Sequence, residues 1–531
     1  MQHADAYELR VHNAPLSLYL NAHKEAFFEP RSGTLALYER FNDSVKELVA
    51  EWWERIEDSR AFAANLPALK TYHRTLRPGD VTLVGLIAEG GQGMRTANNA
   101  RFLAYLEGTP QARALEEKAV EWNTLWLADR QITPIYHDAI ANAGGDPARP
   151  TANRAAWESA VHTLRERFSA DKLRFGRMDL FRVAPANLIA TDADFRFAFD
   201  QRKVELLRHW QQQRELDAFW HDTLELDGQR CSHGQFQRAT AISDEDFCEL
   251  CQHIQIWVAR ENASRRPELR ISRDAIGLRS SEDYNDPADG PRIATIYNGL
   301  SGRGQFVPFR KGDPEGSRWL DNEPLFIEWT AWVADWMFEN SGRREPNMPV
   351  IRNAVLYLTA GVTWSLHANH VAAKCRYQEA CIFDASSSRL TPIIPGLSAE
   401  AFVAIANSDV FSFFLKNFIK HNQDIEINDM RMMPVVIPTR AQHTRLKGLA
   451  QLCIEAKRAD FTNQPPPNPL VARTRTITAE LRDHAPSYLH PTAQQILLET
   501  PRDCLAVLEQ AVSWEAEKLY GVEGLGPFDE F

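Results

Sequence analysis

Within residues 351–439, strand-like runs give way to helical spacing and then return, and that mixture constrains the fold more than any other stretch. Gly361-Val362-Thr363-Trp364-Ser365 is followed by the basic Lys374-Cys375-Arg376-Tyr377 and then by Ala380-Cys381-Ile382-Phe383-Asp384. That order predicts a turn, an edge facing a groove, and a hairpin. Apolar residues recur at helical spacing over 401–418, and Val435-Val436-Ile437-Pro438 predicts a short buried strand ended by proline. The expected class is α+β and helix-rich: a mixed α/β region, a separate helical stretch and C-terminal helices.

A chain of 531 residues, 44% hydrophobic and 25% charged, buries a large core and should form two or three domains. No apolar run approaches the ~20 residues of a membrane helix, and the first residues carry no basic-then-apolar leader, so a cytoplasmic protein without a membrane partner is expected. Seven cysteines, an odd number thinly spread, argue against a disulfide framework. The net charge of −11 counts against nucleic acid, which is held by clustered Lys and Arg, unless a local basic groove sits on an acidic body.

Taken in order, residues 1–75 form a helical segment, with Leu37, Phe41, Val45, Leu48, Val49 and Trp52 on one face. Residues 76–107 form the next unit: a turn at Arg77-Pro78-Gly79-Asp80, a buried strand over 81–87, and then Gly90-Gly91-Gln92-Gly93-Met94-Arg95-Thr96-Ala97-Asn98-Asn99. A glycine-rich loop after a strand admits a nucleotide or S-adenosylmethionine reading, but neither the dinucleotide spacing nor a P-loop lysine follows; a turn between packed elements is the plainer alternative. Residues 108–290 form a charged helical insertion, with helices over 153–168 and 195–226 and a solvated face at 202–214. Cys231, His233, Cys248, Cys251 and His253 lie within it. Phe247, Leu250, Ile254 and Trp257 make their stretch an amphipathic helix, so the cysteines are expected to pack rather than hold zinc.

In residues 291–440, Arg310-Lys311 before a glycine suits a phosphate, and Trp319 offers an aromatic platform or a groove wall, against the plainer reading of a surface hairpin with a packed tryptophan. Trp332, Trp336 and Phe338 on the next helix are expected in the core. His367, His370, Cys375 and Cys381 match no familiar zinc spacing. Lys374 and Arg376 suit phosphates or guanine edges, and Asn422 and Gln423 adenine edges. Residues 441–531 continue an amphipathic helix over 440–461, pass the proline-rich linker at 463–469, and end in helices.

In their order these motifs resemble the target-recognition region of large N6-adenine DNA methyltransferases, both type IIG restriction-modification enzymes and the PglX-type enzymes of BREX phage defence. The resemblance rests on Gly93-Met94-Arg95-Thr96 with Asn99 and Phe102-Leu103, where Ala97 replaces a usual glycine; on 306–313 and 318–329; on 361–365, Arg376-Tyr377 and 381–384, where Ala380 replaces another glycine; on Ala406-Asn407-Ser408, Asn422 and 429–435; and on Leu519-Tyr520-Gly521-Val522. It covers about 81–106 and 293 onward, some two thirds of the chain. The DNA-facing residues it implies are Arg95, Thr96, Asn99, Arg101, Arg310, Lys311, Trp319, Thr363, Trp364, Ser365, Lys374, Arg376 and Asn422.

Such enzymes hold a flipped adenine with a [DNS]-P-P-[YFW] tetrapeptide. None occurs here; Asn463-Gln464-Pro465-Pro466-Pro467 is displaced by a residue and lacks the aromatic. With neither that tetrapeptide nor the cofactor glycine motif, no catalytic residue, metal or cofactor is expected in this chain. The expected function is DNA sequence recognition, with double-stranded DNA and a methyltransferase catalytic domain or subunit as partners, the latter binding S-adenosylmethionine. A chain opening on a helix rather than a Rossmann strand fits either a catalytic half on a separate polypeptide or one lost through a split gene. Other phage-defence proteins are further expected partners, and the alternative is a non-enzymatic protein-interaction subunit of a defence complex.

Overall fold

A computed structural model of the protein describes residues 14–22, 28, 32–57, 68–69, 72–73, 75–169, 171–174, 182–191, 194–195, 225–226, 229–230, 295–312, 317–321, 325–344, 348–365, 374–394, 396–420, 424–485, 498–522 and 525. The strands are β1 Val81–Leu83, β2 Ala88–Gly91, β3 Leu103–Leu106, β4 Arg182–Ala184, β5 Glu225–Leu226, β6 Gln229–Arg230, β7 Phe306–Arg310, β8 Leu325–Glu328, β9 Thr359–Ser365, β10 Cys375–Phe383, β11 Ser387–Pro392 and β12 Pro434–Val436. Among the described residues, eight of them build one sheet in the order β2-β11-β9-β10-β7-β8-β3-β4. The sheet is mixed: β10 runs parallel to β7 and β3 parallel to β4, and the other neighbours are antiparallel. The class is α+β and helix-rich, as its alternating periodicities require.

The helices that cover the sheet are α1 Ser32–Glu57, α2 Pro110–Ala128, α3 Ile132–Asn142, α4 Arg154–Arg167, α5 Ala331–Glu339, α6 Ala399–Ala406, α7 Asp409–Phe414, α8 Ile427–Arg431, α9 Arg440–Phe461, α10 Asn468–His484 and α11 Pro501–Tyr520. One large apolar core joins Phe41 and Val45 of α1, Val362 and Trp364 of β9, the buried faces of α6 and α7, and Leu508 and Val512 of α11. The Phe41 ring lies 6.1 Å from Phe414 and 5.5 Å from Tyr520, which ties the first long helix to the last. A second core lies between β3, β7, β8 and α5, and a third, around Trp126 and Trp157, holds α2, α3 and α4 together.

Two local expectations change. The single strand over 81–87 breaks after Leu83, because its partner β12 has only three residues; residues Val84–Ile87 then make a helical turn before β2. The turn expected at 361–365 is strand β9, bonded on one side to β10 and on the other to β11. Gly361 serves that crowding: a β-carbon there would strike Arg389 Nε.

His443 on α9 accepts a hydrogen bond at Nε2 from the backbone N–H of Ser398, the N-cap of α6, at 3.1 Å. Burial, with Lys447 nearby, pushes its pKa down to about 4, so the ring stays neutral in the fold while the unfolded chain takes up a proton near 6.5. Stability is therefore whole above 6.5 and falls as pH drops from 6.5 to 4, by on the order of 2–3 kcal/mol. Chemical denaturation across that window should show this loss, and His443→Gln should remove that component.

Candidate nucleic-acid interface

The connection from β2 to β3 is held by its backbone. Gly90 and Gly93 lie so close to the sheet that a β-carbon would strike the carbonyl oxygens of Arg389 and Phe383, so both glycines serve chain crossing rather than a ligand cradle. Next, Met94 N–H donates to Phe383 O at 2.9 Å, Ala385 N–H to Met94 O at 2.8 Å, and Arg95 and Val350 exchange backbone bonds at 2.8 Å. Ala97 takes φ +56, the left-handed region for which glycine is the usual choice. Thr96 donates its hydroxyl to Asn99 Oδ1, and Asn98 caps the short helix Asn99–Phe102 by accepting from Arg101 N–H at 3.2 Å.

This rigid loop forms one wall of a cleft of about 1160 Å³. Glu158, Val161, His162, Arg165 and Glu166 of α4 line it, together with Arg182, Lys311, Arg352 and the turn Asp384-Ala385-Ser386. Six cations, Arg95, Arg101, Arg165, Arg182, Lys311 and Arg352, meet three carboxylates, Glu158, Glu166 and Asp384. A chain of net charge −11 thus gathers positive charge at one cleft.

The cations are held in place. Arg182 pairs with Glu158 at 3.3 Å and also with Glu328. Arg352 Nη1 donates to Gln92 Oε1 at 2.6 Å. The Arg101 guanidinium stacks 4.7 Å from the Trp336 ring centroid and 5.0 Å from those of Phe102 and Trp332. Burial lowers the Arg101 pKa from its ordinary value, and Glu328 opposes that shift. Asp384 spends one oxygen on its own turn, accepting from Ser386 N–H at 2.8 Å and Ser386 Oγ at 2.6 Å.

The structure divides the residues chosen from sequence. It brings together Arg95, Asn99, Arg101 and Lys311 at the cleft, whereas Thr96, expected to face DNA, is buried behind it with its hydroxyl donated to Asn99. Arg310 is half-buried and donates to the carbonyls of Phe309 at 3.0 Å and Leu325 at 3.4 Å, so it secures the sheet. Trp319, expected as a platform or groove wall, is fully buried, and its indole donates to Glu509 at 2.7 Å.

Thr363, Trp364 and Arg376 are also interior. Thr363 Oγ1 lies 2.6 Å from Ser387 Oγ and donates to Ser388 O at 2.7 Å, Trp364 donates to Ile425 O at 2.8 Å, and Arg376 pairs with Asp321 at 2.7 Å. The reason is that β9 and β10 lie inside the sheet with both faces covered, so polar alternation there marks a buried network instead of a wet edge. Lys374 is half-buried just before β10; Ser365 ends β9 opposite Ser387, and its side chain lies outside the described residues. Asn422 and Gln423 lie outside them too, as do His367, His370, Cys231, His233, Cys248, Cys251 and His253. Burial pushes the Cys375 thiol up to about 12, away from the thiolate a metal requires.

Sequence reasoning missed Arg165 and Arg182, which lie in the charged stretch over 108–290, and Arg352, at the start of the 351–439 stretch, because no local motif marks them. It also misplaced Trp332, expected in the core and in fact 57% exposed.

No protein-family model matches the chain, and no curated protein matches it. Among the described residues, no group of three or more His, Cys, Asp and Glu could hold a metal ion. These findings correct the labels attached to the resemblance: methyltransferase, adenine specificity, restriction-modification, BREX, PglX and S-adenosylmethionine are withdrawn as descriptions of this chain. Neither comparison supports DNA binding, so the case for nucleic acid rests on the geometry of the cleft.

Proposed function

We propose that this chain is a DNA-recognition module whose basic cleft receives the sugar-phosphate backbone of a duplex, with any chemistry on the DNA carried by a separate partner. The observation that carries the reading is the gathering of six cations at a fixed cleft on an otherwise acidic protein. Phosphate contacts of this kind set register and orientation. The sheet and the loop around Met94 then act as the mixed α/β recognition region, and a cytoplasmic location accompanies that role.

Counterion release makes such binding depend steeply on salt, with a log–log slope of about −0.9 for each phosphate neutralised. An excess of three cations at the cleft gives an expected slope of about −3 for mixed-sequence duplex. Equilibrium binding by the full chain across a salt series tests this; affinity indifferent to salt would refute it.

The rival reading is a non-enzymatic protein-interaction subunit, and one feature favours it. A groove of about 800 Å³ between α9 and α10 is lined by Leu449, Leu452 and Ile477 together with Arg440, Arg445 and Arg473. Under that reading duplex binding is absent.

A further inference from the structure

The tryptophan that sequence singles out as a platform is buried, and the one it assigns to the core stands in solvent. Trp332 is 57% exposed, whereas so large an apolar side chain is ordinarily drawn inward. It sits in the first turn of α5, whose start is fixed by Thr330 accepting from Val333 N–H at 3.4 Å. Trp336 follows one turn later and packs 5.1 Å from Phe102. Arg101 lies over all three rings, at 5.0 Å from Trp332, 4.7 Å from Trp336 and 5.0 Å from Phe102.

Arg101 also lines the basic cleft, so the cleft and the aromatic cluster share a residue. An exposed indole alone would suit many partners. Its continuity with a cluster of cations selects one that offers a flat π face and a phosphate within a nucleotide of each other. That is an unpaired nucleobase in a DNA strand.

We infer that Trp332 is a stacking platform for an unpaired base, held beside Arg101, while the adjoining phosphate enters the cleft. This rests on the DNA-binding reading above. Arg101 acts as a positioning residue: its guanidinium braces the indole by cation–π contact and places positive charge next to the stacked base. Base stacking on an aromatic side chain tolerates any sequence, because every base presents a π face. The inference therefore assigns Trp332 a preference for DNA structure, not for sequence.

The test compares a blunt mixed-sequence duplex with the same duplex carrying a short single-stranded gap, bound by the full chain at one salt concentration. Wild-type protein should bind the gapped DNA more tightly. Trp332→Ala should weaken gapped binding about tenfold more than it weakens blunt-duplex binding, and Trp332→Phe should keep most of the preference. Trp332 is 57% exposed, and thermal denaturation with the wild-type midpoint verifies that the variants fold. Equal binding of the two DNAs by wild type, or an intact gap preference in Trp332→Ala, overturns the platform; if the blunt duplex is still bound, the cleft reading stands. Absence of all DNA binding overturns both.

Discussion

Asp321→Ala should destabilise the protein by about 3–5 kcal/mol, the cost of leaving a buried charge without its partner. Arg376 is fully buried, its Nε lies 2.7 Å from Asp321 Oδ1, and the aspartate side chain is itself 7% exposed. Gln378 donates to the other Asp321 oxygen at 3.4 Å and to Ser387 Oγ at 3.2 Å, so the pair anchors a polar network across the interior of the sheet. The double variant Asp321→Leu with Arg376→Met, which removes both charges, should lose less than Asp321→Ala alone. Chemical denaturation reads both. A loss below about 1 kcal/mol in Asp321→Ala would mean that the guanidinium reaches water, and would return Arg376 to the list of surface cations.

Gly93→Ala should cost about 2–3 kcal/mol, toward the upper end for overpacking, because its β-carbon would overlap a backbone carbonyl instead of a yielding side chain. The obstructing atom is Phe383 O, which also accepts the Met94 N–H. Relief requires the crossing to open, and that moves the segment bearing Arg95, Thr96, Asn99 and Arg101. The variant should therefore lose duplex affinity as well as stability. Gly448→Ala is the control: nothing lies near its added β-carbon, and in the middle of α9 alanine is the better helix former. If Gly93→Ala were as stable as wild type, the tight crossing at Phe383 would be wrong.

The helices were legible in the sequence because capping and periodicity act locally. The helix expected over 153–168 is α4, α9 spans the predicted residues, and the strand expected at 435–438 is found one residue earlier, at Pro434–Val436. The apolar run over 401–418 hid a break: Asn407 and Ser408 end α6 and start α7, with Ser408 capping Phe411 N–H at 3.3 Å. Non-local facts were not legible. Whether Thr363 and Arg376 face water depends on what covers the sheet, and the strands themselves do not encode that.

The same limit governed the cleft. Lys311 was found through a local glycine turn and Arg95 through the resemblance, but Arg165 and Arg182 reach them from the helical stretch over 108–290, across sequence separations that no short pattern records. Trp319, between β7 and β8, and Trp332, at the start of α5, exchanged their expected places because both lie in short aromatic-rich stretches whose burial no local pattern decides. Only the tertiary packing, Trp319 against Glu509 and Trp332 beside Arg101, tells them apart.

The central claim is that the positive cleft holds a DNA backbone, and the most direct test is the salt dependence of duplex binding by wild type and by the Arg95→Gln, Arg352→Gln double variant. Both side chains are exposed, and neither lies in a core. The account expects the wild-type slope near −3 to become shallower by about 2, with affinity lower by a similar factor on every sequence, since phosphate contacts carry no sequence information. An unchanged slope and affinity in the variant, with duplex still bound, would place the DNA elsewhere on the protein and contradict the account.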